Sequence, residues 1–163
     1  MKVQHLIAVV AVAATAAVLT VPGVAAGAGQ GATCRVGQSC KHHGTIYRAT
    51  GVKVTRSIGS GYMRETTSGR FVVITATLTN VKNRPSTIMA ANLNLRVRSG
   101  ASYSVSTKGI GVDNALWLTE SLQPQLPVRV VLIFELPARA VAGAVLEIND
   151  MGTGDKARIR LGL

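Results

Sequence analysis

Cys34 and Cys40, followed at once by His42 and His43, carry the most reactive side chains of this sequence in a C-x5-C-x-H-H spacing. In an oxidising compartment an even cysteine count favours a disulfide. A bridge closing so short a loop contributes roughly 2 kcal/mol through chain entropy, so it would pin the start of a domain rather than hold the domain together. Copper or zinc held by His42 and His43, with or without the thiols, is one alternative, and two free thiols are another. Adjacent histidines on an extended segment point to opposite sides, which works against a shared metal site. No cofactor is implied.

Hydrolytic chemistry needs a nucleophile beside a base. Serine is plentiful here, but beyond His5 the only histidines are His42 and His43. G-x-S-x-G, H-E-x-x-H and a phosphate-binding glycine loop are all missing. The seven acidic residues are spread over turns and strand ends. Asp150 and Asp155 bracket the last loop, where calcium would require oxygen ligands the sequence does not mark. The chain reads as non-catalytic.

Charge is the more informative property. Lysine and arginine number 18 against 7 acidic residues, a net +11. Lys53, Arg96, Arg98, Arg158 and Arg160 all fall on the expected solvent faces of strands. If those strands share a sheet they form a positive surface suited to an anionic wall polymer or an anionic membrane surface. Charges on edge strands also serve simply to prevent edge-to-edge association. Nucleic acid is a poor candidate, because aromatics make up only 4% and the basic residues are scattered rather than gathered in one helix or arm.

The elements that must position these residues are strands. Val52 and Val54 alternate with Lys53 and Thr55. Ser57 to Gly61 turns the chain into Phe71 to Thr79, rich in β-branched residues, with Val72, Ile74, Ala76 and Leu78 on one face. Asn92 to Arg98 places Leu93, Leu95 and Val97 inward and Asn92, Asn94, Arg96 and Arg98 toward water. A short strand near Tyr103 precedes a loop containing Gly109 and Gly111, which Trp117 and Leu118 are expected to anchor to the core. Val128 to Leu136 is apolar on both sides, as expected of a central strand. Val145 to Ile148 and Arg158 to Leu161 end the chain, separated by a turn at Asp150 to Asp155. Apart from one turn after Pro137 there is no sustained helical period. About seven or eight strands at turn-punctuated spacing favour an antiparallel sandwich over a barrel.

The first 26 residues read as a secretory signal peptide: Lys2 near the start, an apolar run from Leu6 to Val21, then Pro22, Gly23 and small residues. Cleavage after Ala26 or Ala28 gives a chain beginning at Gly27 or Gly29. An uncleaved anchor would need about 20 apolar residues with flanking charge, and Cys34 lies too far from the apolar run to serve a lipoprotein. Removing 26 residues from 163 leaves about 137, one domain's worth, with a balance of about +10. Residues 27–33 then form a flexible leader and 34–163 the domain. The expected location is extracellular or envelope-associated, without a stable membrane anchor.

A family resemblance rests on Val36-Gly37, on Gly69 to Ile74 leading to Leu78-Thr79-Asn80, and on Leu122-Gln123-Pro124 followed by Val130 to Pro137. These stretches resemble domain of unknown function 4352 and together span Val36 to Leu161. The resemblance implies an immunoglobulin-like sandwich of secreted or lipid-anchored Gram-positive proteins, distantly similar to the mycobacterial immunoprotective extracellular antigen, with no activity attached. The chain departs from the family pattern at Gln125, where glycine is usual, and in its cysteine pair. It implies a non-catalytic binding or adhesion-type module, with an envelope structural protein contacting anionic polymer, or a metal-binding protein, as alternatives.

Overall fold

The computed structural model describes residues 32–150 and 152–163. The signal peptide and its cleavage points lie outside the described residues. Eleven strands make up the described fold. One sheet has the order β1 (Thr33–Arg35), β11 (Lys156–Arg160), β10 (Val145–Asn149), β6 (Leu93–Arg96), β7 (Ser102–Ser104). The second has the order β2 (Cys40–His42), β3 (Thr45–Ile58), β4 (Glu65–Asn80), β9 (Pro127–Leu136), and β5 (Ser86–Met89) pairs with β8 (Thr119–Leu122) as a separate ribbon.

The two larger sheets face each other across an apolar core. Val72, Ile74, Leu78, Leu132 and Phe134 of one pack with Leu93, Leu95, Leu146, Ile148 and Ile159 of the other. Every second residue of β4 from Val72 to Leu78 is buried, as period-two alternation requires of a strand with one face on a core. At the end of that run Asn80, fully buried, is satisfied by three hydrogen bonds. Its Nδ2 donates to the carbonyls of Arg84 (2.8 Å) and Leu122 (3.0 Å), and its Oδ1 accepts from the Lys82 N–H (2.9 Å). This ties the turn after β4 to β8.

Four expectations need correction. The strand count is eleven rather than seven or eight, because β1, β2, β5 and β8 are three or four residues long and too short to show a period. The sandwich is not wholly antiparallel: β1 pairs with β11 in parallel. Val128 to Leu136 is not central, since β9 ends its sheet. Its second apolar side is covered by the loop from Val105 to Leu116, which bridges the free edge at Phe134 and Val131. There the Ser106 N–H donates to the Ile133 carbonyl (2.7 Å) and the Leu116 N–H to the Val131 carbonyl (2.9 Å). Ile133, Phe71 and Ile58 form a small second cluster beneath it. Gly109 presses on Ile133, and a Cβ there would come within 2.9 Å of its Cδ1.

Finally, Trp117 and Leu118 do not anchor this loop, being 44% and 58% exposed. Leu116 does, at 2%. The hydrogen bond from its own N–H to β9 fixes which of the three consecutive apolar side chains turns inward.

Candidate functional site

Cys34 and Cys40 are joined in a disulfide, with Cα atoms 5.8 Å apart. Neither sulfur is then available as a thiolate ligand. The bridge links β1 of one sheet to β2 of the other.

The histidines do not point to opposite sides as an extended segment would place them. His43 stands in the turn between β2 and β3 with φ +45°, and the two rings meet edge-on, centroids 4.3 Å apart. His43 lies between the last two acids of the chain, with Nδ1 3.5 Å from Asp150 and Nε2 3.5 Å from Asp155. The Asp150 carboxylate accepts from the N–H groups of Gly152 (2.7 Å) and Thr153 (3.0 Å), which hold its pKa below the usual value. Burial, then the neighbouring His43, push the His42 pKa down, and its buried Nε2 has no hydrogen-bond partner among the described residues. Among the described residues no group of three or more His, Cys, Asp or Glu side chains is placed to hold a metal. This cluster fastens the β2–β3 turn to the β10–β11 loop.

The basic residues assemble elsewhere. On the outer face of the five-stranded sheet one row across the strands reads Arg35, Arg160, Val145, Arg96, Ser102, and the next reads Thr33, Arg158, Glu147, Asn94, Ser104. Lys156 stands two residues before Arg158 on the same face. Arg96, Arg158 and Arg160 are therefore brought together, and Arg35 and Lys156 join them. Lys53 is not among them: it is exposed on β3 of the opposite sheet. Arg98 lies past the end of β6, exposed, at the end of the sandwich.

Glu147 is the single carboxylate of that face, and its side chain is only 3% exposed. Arg158 Nε donates to it at 3.0 Å, and Arg96 and Lys156 approach it at 3.8 Å. Five cations thus share a face with one acid, which three of them approach, and Arg35 and Arg160 enter no ion pair among the described residues. Neighbouring strands lie about 4.8 Å apart, so directly opposed like charges are an unfavourable arrangement unless an anion meets them.

Lys156 was legible in the sequence, since Lys-Ala-Arg-Ile-Arg alternates with the same period that exposes Arg158 and Arg160. Arg35 carried no such signal, because its strand is three residues long and pairs with the far end of the chain.

The model of the domain of unknown function family DUF4352 matches residues 34–158. No curated protein matches the chain. Among solved structures, the chain is similar to the yjhA protein of Bacillus subtilis, with 16% identity and a TM-score of 0.61, over 78% of this chain and 98% of that one. The secreted protein MPT63 of Mycobacterium tuberculosis gives 16% identity and a TM-score of 0.60, over 78% and 95%. An uncharacterised β-sandwich protein of Clostridium difficile 630 gives 14% and 0.52, over 80% and 94%. At these identities the likeness is one of fold.

Proposed function

The chain belongs to the DUF4352 family, and from that premise we propose that it is an exported, non-catalytic binding module on an immunoglobulin-like frame, whose five-stranded sheet face contacts an anionic polymer of the cell envelope. The observation that carries this reading is the direct opposition of Arg35 and Arg160, both exposed, on a face whose one carboxylate is already engaged by three other cations. A sheet face displaying guanidinium groups in register suits a repeating polyanion better than a compact ligand, because charge is spread across strands instead of converging in a pocket. Export is supported by the signal-like residues 1–26 and by similarity to a secreted mycobacterial protein. The lack of a recognisable nucleophile and base pairing supports the non-catalytic part.

Co-sedimentation of the purified protein with Gram-positive cell walls at rising salt tests the reading. Retention should fall steeply as the screening length shortens from about 10 Å at 0.1 M toward about 3 Å at 1 M. Retention indifferent to salt, or equal on walls stripped of their anionic polymer, would reject it.

A further inference from the structure

At one end of the sandwich the chain leaves β6, turns through residues 97–101 and returns as β7. Across the mouth between the sheets, β9 ends at Leu136 and Pro137 leads into the 3-10 turn Ala138–Ala140. A cleft of about 570 Å³ opens between these two segments, within the roughly 300–1,000 Å³ that small-molecule sites occupy. Val97, Tyr103, Pro137 and Ala140 give it an apolar lining, to which each of the two segments adds an arginine, Arg98 and Arg139.

No acidic side chain lines this cleft, although behind Arg98 the Gly143 N–H donates to the terminal oxygen of Leu163 at 2.7 Å. Neither arginine enters an ion pair among the described residues. Arg98 is nevertheless seated, because its side chain runs so close to Gly143 that a Cβ there would collide with Nε. Gly143 itself has φ +72°, a conformation that also favours glycine. Arg98 is exposed, with part of its side chain laid over the Gly143 backbone beside the apolar lining of the cleft.

We propose that the cleft binds a small amphipathic oxyanion, a carboxylate or phosphate head carrying a short apolar body. Two arginines in a lining with no acidic side chain favour negative charge, and the forked donors of a guanidinium match the oxygens of either head. The apolar floor favours a ligand with hydrocarbon beyond that head, since burying it removes apolar surface on both sides from water. This site is independent of the sheet-face reading, as it uses none of Arg35, Arg160, Arg158 or Lys156.

Isothermal titration with octanoate, octyl phosphate, octanol and acetate tests it. The purified protein should bind octanoate or octyl phosphate at least about tenfold more tightly than octanol or acetate, and the stronger of the two identifies the head. Arg98→Gln/Arg139→Gln should weaken that binding by about tenfold or more. Ala142→Trp, which fills the mouth from an exposed lining position, should weaken it with no change in melting temperature. Arg35→Ser/Arg160→Ser should leave octanoate binding untouched, which separates failure here from failure of the polymer reading. No binding of either anion, equal binding of octanol, or full binding by the double arginine variant would overturn the proposal.

Discussion

Arg35 and Arg160 stand directly opposite each other on neighbouring parallel strands, the residue after Cys34 having been brought beside the last strand of the fold. Both are exposed and neither is neutralised by a carboxylate among the described residues. One row away, Glu147 shows the opposite arrangement, a single acid beneath Arg96, Lys156 and Arg158.

Glu147→Gln should cost about 1–2 kcal/mol, less than a fully buried pair, because the three cations it leaves behind are each more than two-fifths exposed and stay hydrated. The variant should also gain more melting temperature from added salt than the parent does, since salt screens cation repulsion no longer offset by the acid. Equal salt response in thermal melts of both proteins would show that the face is not electrostatically strained.

The loop over β9 provides a second test. Leu116→Ala should destabilise by about 2–4 kcal/mol through loss of a buried side chain, and Trp117→Ala by under about 1 kcal/mol. Denaturant melts showing the reverse ranking would place Trp117 in the core.

These two residues also show what the sequence could and could not disclose. Alternation placed Leu93, Leu95, Val130, Leu132 and Phe134 inward, because a half-buried strand leaves a period of two that any reader can find. Leu116-Trp117-Leu118 has no period, and the inward member is chosen by a backbone hydrogen bond to β9, a long-range event. The same holds for β9 itself: an apolar second face says that something covers it, without saying whether a strand or a loop does. Of the basic face, Arg96, Arg158 and Arg160 were legible as outward residues, yet only the sheet order makes them neighbours, and Arg35 enters through a parallel pairing with no local signature.

Among the described residues Gln125 is one of three non-glycine residues with positive φ, at +60°. Its N–H donates to the Asn80 carbonyl at 2.8 Å, so the turn is held in this conformation, which glycine adopts without strain. Gln125→Gly should therefore raise stability, by up to about 1 kcal/mol after the greater chain entropy of glycine is counted. A clear loss of stability in a denaturant melt would mean that the glutamine side chain contributes something the turn geometry does not show.

Acid should loosen the end of the sandwich near His42 and Asp150. His42 has a folded pKa below its ordinary 6.5, because burial and then His43 disfavour its charged form. The unfolded chain therefore binds more protons, and the stability present above 6.5 is lost as pH falls toward the folded value. Asp150, held low by two backbone N–H groups, adds a loss of the same sign once pH drops below its ordinary 3.8. Melting temperatures should fall between about pH 7.5 and pH 5, and fall less in His42→Gln. Identical pH profiles for the two proteins would remove His42 as the cause.

The most direct measurement is retention on isolated cell walls at about 0.1 M salt by the parent, Arg35→Ser/Arg160→Ser and Lys53→Ser. Removing the two opposed arginines should reduce retention roughly ten- to thirtyfold while leaving the melting temperature unchanged or slightly higher, because a like-charge contact is relieved. Lys53→Ser, on the other sheet, should bind as the parent does. Undiminished retention by the double variant, or an equal loss in Lys53→Ser, would contradict a polymer-binding role for this face.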